Sequence, residues 1–273
     1  MDRRSTPFSG RLALPSLRGQ VEAIFTEGEQ AAIKWPLADL LDQPGGARDR
    51  QVLFGDAVTV IDLRDGHVFV QAAKDGYCGW LDAAAVGPAI TPSHWVAARS
   101  SHVYSGPKVQ APEVMALPFG AQMAVTGTMG AFAETTYGFV PLAHLRALDD
   151  RPTDPVTVAE TLVGAPYLWG GNTAAGIDCS GLVQAALLAC GLPCPGDSDQ
   201  QQSLGQAVDD ETPLQRGDLM FWKGHVALVA DARRIIHANG HTMTVAHEPI
   251  DVAIARIAAQ GGGPVTALRR VLA

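Results

Sequence analysis

The chain has 273 residues, 47% apolar and 18% charged, with a formal net charge of -8. That length holds one large domain or two to three ordinary ones, each with a real core, and the acidic balance argues against a nucleic-acid partner read through a basic stripe. No segment approaches the ~20 apolar residues of a membrane-spanning helix, and 29 glycines with 18 prolines suit a turn-rich, mostly β architecture better than a helical bundle.

Met1-Asp-Arg-Arg is followed by no apolar run of signal-peptide length, so the expected localisation is cytoplasmic. Residues 1–47 hold short apolar pieces at 21–25 and 31–35 and a Pro44-Gly45-Gly46 turn, which suggest a strand or two within an N-terminal arm that packs on the strands downstream. From Arg48 the pattern becomes short alternating strands at 51–54, 57–63, 67–72 and 77–81, broken by Gly-Asp, Arg-Asp-Gly and Lys-Asp-Gly turns. This predicts a small barrel over 48–91. A second set at 96–98, 102–104, 122–126, 131–135 and 137–141 predicts another over 92–149, a weak internal repeat in which Gly138-Phe-Val-Pro parallels Gly79-Trp-Leu-Asp. Asp75-Gly-Tyr77-Cys-Gly79-Trp80-Leu81 resembles the closing strand of a bacterial SH3-like barrel. Asp149-Asp-Arg-Pro-Thr-Asp-Pro155 is a polar, proline-punctuated linker into the last domain, 150–273.

That domain opens with a predicted helix over 156–163, followed by Tyr167-Leu-Trp169-Gly-Gly and Asp178-Cys179-Ser180-Gly181. Asp178 is a good N-cap; Leu182, Val183, Ala186, Leu187 and Cys190 recur at helical spacing; Gly191 and Pro193 stop the helix. Cys179 therefore falls in the first turn, where the helix dipole and unpaired amides favour a thiolate. A further helical turn is predicted over 200–205, then strands at 214–222, 224–230 and 234–238, with 264–272 as an edge strand. Helix first and antiparallel strands after it is an α+β layout.

His225 and His237 lie on neighbouring strands of the predicted hairpin. A loop of Asp231, Ala232 and Arg233 puts both on one face as diagonal neighbours, about 7 to 8 Å apart at the backbone. A base and an orienting partner for a nucleophile need that arrangement. Taken alone, a buried packing cysteine and two satisfied sheet histidines account for the same residues. A zinc set of Cys179, His225, His237 and His241 matches no standard ligand spacing, and Cys78, Cys190 and Cys194 read as structural.

Tyr167-x-Trp-Gly-Gly, Asp178-Cys179-Ser180-Gly181, Gly217-Asp218-Leu, Gly224-His225-Val-Ala and Ile-Ile-His237-Ala, in this order, resemble the NlpC-type cell-wall cysteine peptidases. The resemblance implies a papain-like domain behind two SH3-like barrels, with Cys179 as nucleophile, His225 as base, His237 as orienting member and Tyr167 helping to stabilise the oxyanion. It extends to the subgroup that cleaves the γ-D-glutamyl bond to the diamino acid of murein peptides, without a cofactor. In that subgroup the first barrel recognises the free amino end of L-alanyl substrates. Tyr77 matches the aromatic of that pocket, and Asp178 and Ser180 match positions that hold the substrate end. Trp169 matches a cleft aromatic, Asp197 and Ser198 match the polar pair after the catalytic helix, and Asp56 is a weaker second ammonium contact. Gly196 and Arg216 depart from the subgroup pattern, which usually has arginine and proline there. The implied partner is a small recycled peptide, L-Ala-γ-D-Glu-diamino acid; the rivals are an autolysin on polymeric murein and a non-catalytic wall-fragment binder.

Overall fold

The computed structural model describes residues 1–209 and 211–272. They fold as two units, Met1–Asp150 and Arg151–Ala273.

In the first unit a seven-stranded antiparallel sheet curls round a core of Ile33, Leu40, Val52, Val58, Val70, Tyr77 and Leu81. Its order is Arg48–Leu53, Leu37–Leu41, Cys78–Asp82, His67–Ala72, Ala57–Arg64, Glu29–Ile33, Val86–Pro88. Two of these strands lie inside the predicted arm, which is a correction: the barrel begins at Glu29, not at residue 48. The Glu29–Ile33 strand pairs on both sides, with Ala57–Arg64 and Val86–Pro88, and buries Ala31, Ala32 and Ile33 in a row. A strand so covered has no polar-out alternation to betray it. Of the arm, Leu12–Ala13 and Ile24–Phe25 form a short parallel pair.

The rest of this unit is a five-stranded and a three-stranded sheet enclosing Val96, Val103, Leu117, Met123 and Val140. The Glu113–Pro118 strand pairs with Ser100–Tyr104, and its flanking prolines had hidden it from the sequence pattern. Gly55 joins the two parts: its φ is +82°, a Cβ there would stand 1.9 Å from the Gln122 carbonyl oxygen, and the Gln122 N–H donates to the Phe54 carbonyl at 2.9 Å. Only glycine fits that approach.

The second unit is a six-stranded antiparallel sheet ordered Gln206–Ala207, Ala267–Arg270, Leu219–Trp222, His225–Asp231, Arg234–Asn239, Thr244–Pro249. Ala267–Arg270 is thus an inner strand, not the predicted edge, because Gln206–Ala207 pairs outside it. Met220, Trp222, Ala227, Val229 and Ile235 form a core with Ala253 and Ile257 of the last helix, Ile250–Ala259. The Cys179–Ala189 helix packs against the His225 and His237 strands. Leu182, Val183 and Leu187 are fully buried along it, each contributing about 2 kcal/mol by removal from water. Gly191 ends it at φ +77°, and the Leu192 N–H donates back to the Leu187 carbonyl at 2.9 Å.

Candidate active site

Asp178 fixes the start of the Cys179 helix. Its Oδ1 accepts the Gly181 N–H at 2.6 Å and the Ser180 hydroxyl at 3.1 Å, while Oδ2 accepts the Gly170 N–H at 2.9 Å. One carboxylate thus caps the helix and ties down the glycine turn before it. Gly171 permits that turn, since a Cβ there would meet the Gly176 carbonyl oxygen at 2.5 Å. Cys179, only 6% exposed, is held in the first turn, where its side chain shares the helix's positive end. From the short helix Ser198–Gln201, Gln201 donates through Nε2 to the Ser180 and Pro195 carbonyls, both at 3.0 Å. Asp197 occupies the N-cap position of that short helix without a side-chain cap bond, and its backbone carbonyl accepts the Gln201 N–H at 2.9 Å, so Asp197 and Ser198 are joined to the Cys179 helix through Gln201.

The two histidines meet. His225 Nε2 and His237 Nδ1 are 2.9 Å apart, with ring centroids at 5.1 Å. The hairpin achieves this differently from the three-residue loop expected. Asp231 pairs with Arg234, leaving a two-residue turn, and the odd residue is supplied by a bulge between Val229 and Asp231. Parity survives because an extra residue inside a strand flips the face as an extra loop residue does. Leu228 opposite Ile236 then sets a register that makes His225 a diagonal neighbour of His237.

Burial disfavours a charged imidazole at both positions. His225 is pushed down to about 3 by burial, then by His237 and Arg256, partly offset by Glu248. His237, with a wholly buried side chain, is pushed down to about 4 by burial, against the pull of Glu248. Both rings therefore rest neutral near pH 7, each with one nitrogen to donate and one to accept. Burial and the neighbouring Cys179 and Asp178 push the Tyr167 phenol up, so it stays a hydrogen-bond donor at neutral pH.

Trp169 stands 69% exposed beside the glycine turn. Tyr77 and Asp56 belong to the first unit. Tyr77 lies in its barrel core at 3% exposure, and Asp56 Oδ2 is engaged at home, accepting the Leu53 N–H at 2.8 Å and pairing with Lys74 at 2.7 Å. That ion pair spends the charge expected to face a substrate ammonium. Arg216 has a local purpose: it bridges Asp154 at 2.9 Å and Glu160 at 3.2 Å and donates to the Ala230 carbonyl at 2.9 Å, pinning the Pro155–Glu160 helix to the His225 strand. Cys78, Cys190 and Cys194 are in no disulfide, and burial pushes Cys78 up to about 12 and Cys190 up to about 11, out of nucleophilic range.

Sequence reasoning missed Glu248 and Arg256. Glu248 Oε2 lies 3.0 Å from His237 Nε2, and Arg256 holds both Glu248 oxygens. The signal for their helix was present, as Ile250, Ala253, Ile254 and Ile257 recur at helical spacing. Nothing local pairs Glu248 with His237.

A thiol at a capped helix start, backed by strands that carry a buried imidazole pair, defines a cysteine peptidase domain. Residues 164–256 match the family model of the NlpC/P60 family, and residues 40–86 match that of the bacterial dipeptidyl-peptidase SH3 domain. The chain thus carries an NlpC/P60 domain together with a bacterial dipeptidyl-peptidase SH3 domain. Dipeptidyl-peptidase 6 of Lysinibacillus sphaericus is 26% identical over 215 residues, covering 69% of this chain and 79% of that protein. The gamma-D-glutamyl-L-lysine dipeptidyl-peptidase of Bacillus cereus is 36% identical over 105 residues, which are 34% of this chain and 31% of the relative. A crystal structure of an NlpC/P60 family protein from Bacillus cereus shares the fold at a TM-score of 0.75 and 22% identity, over 90% of this chain and 100% of that one.

Proposed function

We propose that this protein hydrolyses the γ-D-glutamyl bond to the diamino acid in murein peptides that begin with a free L-alanine. Cys179 Sγ attacks the γ-D-glutamyl carbonyl after His225 takes its proton, and His237 orients His225. The tetrahedral oxyanion is met by the Cys179 backbone amide and by the Tyr167 phenol, which its surroundings keep protonated. His225 returns the proton to the leaving amine, and water then hydrolyses the thioester. No step needs a metal or an organic cofactor.

The observation that carries the reading is the 2.9 Å imidazole pair on strands packed against a helix whose capped first residue is Cys179. The substrate choice leans on relatives named gamma-D-glutamyl-L-lysine dipeptidyl-peptidase, from Bacillus cereus and Bacillus subtilis, and on the dipeptidyl-peptidase type of the first barrel. As part of the same proposal, a preference for a free amino end would suit the recycling of small wall peptides. The engagement of Asp56 by Lys74 favours a second reading, in which Asp56 takes no part in holding an amino end and longer murein is also cut.

The test is mass spectrometry of protein incubated with L-Ala-γ-D-Glu-diaminopimelate, the lysine analogue, and both peptides acetylated on the amino end. Cleavage of the free peptides alone, lost in Cys179→Ala, is expected. Equal cleavage of acetylated peptides or of sacculi moves the assignment to a general wall hydrolase. No cleavage of any of them, with Cys179 inert to iodoacetamide at neutral pH, leaves a binding module.

A further inference from the structure

Glu248 and Arg256 form a charged pair beside the imidazoles that the proposed reaction does not use. In the sheet Ala246 stands opposite His237 and Glu248 opposite Ile235, so side-chain alternation puts Glu248 on the face of His237 and diagonal to it. Glu248 Oε2 lies 3.0 Å from His237 Nε2, along a line bent away from the ring N–H direction. Arg256 clamps the carboxylate through Nε to Oε1 at 2.8 Å and Nη2 to Oε2 at 2.7 Å, and donates through Nη1 to Gln260 Oε1 at 3.0 Å. Both side chains of the pair keep only 15% exposure. A two-point clamp in that surrounding holds the carboxylate in place and ionised.

A carboxylate only accepts. Beside it, His237 is favoured with its hydrogen on Nε2, which leaves Nδ1 as an acceptor. His237 Nδ1 faces His225 Nε2 at 2.9 Å, so His225 must carry its hydrogen on Nε2. The lone pair of His225 is then on Nδ1. In the opposite pair of tautomers, the His237 Nε2 lone pair would oppose the carboxylate and His225 would have a hydrogen on Nδ1 and no base there. We propose that Glu248, clamped by Arg256, is a positioning residue that fixes the tautomers of His237 and His225 and so leaves His225 Nδ1 free to take the Cys179 proton. The inference rests on the peptidase reading above for the identity of the proton donor. The step balances without any co-reactant: the S–H bond breaks, the N–H bond at Nδ1 forms, and the same proton later leaves on the amine.

The experiment combines kinetics with long-range proton–nitrogen correlation spectra of protein labelled at histidine nitrogens. The wild type is expected to show both His225 and His237 protonated on Nε2 at neutral pH. Glu248→Leu is expected to mix the tautomers and lower kcat on the order of 10²-fold with KM little changed, since a misplaced proton removes the base and not the pocket. Glu248→Gln keeps an acceptor without the charge and is expected to recover part of the rate and of the wild-type spectrum. It also serves if the leucine variant does not fold. A wild type with His225 protonated on Nδ1 overturns the proposal, as does a folded Glu248→Gln and Glu248→Leu pair with unchanged tautomers. The spectra decide this even if no murein peptide is cut, so failure of the substrate reading and failure of the Glu248 role are separate results.

Discussion

Replacing Asp178 separates a structural carboxylate from a substrate-binding one. Its two oxygens accept the Gly181 and Gly170 N–H groups and the Ser180 hydroxyl, and the residue is 6% exposed. Asp178→Ala removes a helix cap, which costs about 1 to 2 kcal/mol. It also leaves the Gly170 N–H, whose bond to Oδ2 is buried, without that acceptor, at about 1 to 3 kcal/mol. The expected loss is therefore about 3 kcal/mol, with kcat falling because the Cys179 turn loosens. Asp178→Asn keeps one oxygen for Gly181 and Ser180 but turns an amide NH2 toward the Gly170 N–H, and is expected to cost about half as much. Urea unfolding, followed with kcat and KM on free and acetylated peptides, measures both effects. An unchanged unfolding midpoint in Asp178→Asn, with KM raised for the free-amine peptide alone, would refute the capping argument and assign the carboxylate to the substrate.

Cys179→Ala is expected to lower kcat by about 10⁴-fold or more while urea unfolding shows a folded protein. Both imidazoles have folded values, about 3 and about 4, below the ordinary 6.5. The unfolded chain therefore protonates first, and the stability held by keeping them neutral is complete above pH 6.5 and is lost as the pH falls through the folded values. The urea midpoint is expected to drop between pH 7 and pH 4.5, less steeply in His237→Asn; an equal slope in the variant would contradict the assignment. Gly55→Ala forces a Cβ into the Gln122 carbonyl at a φ of +82° and is expected to destabilise the first unit by about 3 kcal/mol or more, read by calorimetry. Arg216→Ala is expected to cost only about 1 kcal/mol, because its ion-paired guanidinium is 41% exposed. A larger loss in urea unfolding would show that the bond to the Ala230 carbonyl dominates.

Local chemistry alone determined the Cys179 helix, its Asp178 cap and its glycine stop, since caps and i, i+4 apolar spacing depend only on near neighbours in the chain. The first-barrel strands from Ala57 onward were legible for a similar reason: their turns carry glycine and aspartate and their faces alternate. The Glu29–Ile33 strand showed only as a short apolar piece of the arm and not as part of the barrel, because it pairs on both sides and buries consecutive residues, so no alternation marked its place. Sequence parity placed His225 and His237 on one face, but tertiary structure chose the device, a bulge in the strand rather than a longer loop. Whether Asp56 is an open anion or an engaged one depended on Lys74, which lies 18 residues away in the chain. The Glu248–Arg256 clamp on His237 is wholly a tertiary product: register between two strands and the docking of a helix on the second set the distance, and no spacing in the sequence encodes it. Local pattern thus placed Cys179 at a helix start and His225 and His237 on one sheet face. In the mechanism proposed above, the protonation state that makes a base of one imidazole is left to a carboxylate that only the folded sheet brings near.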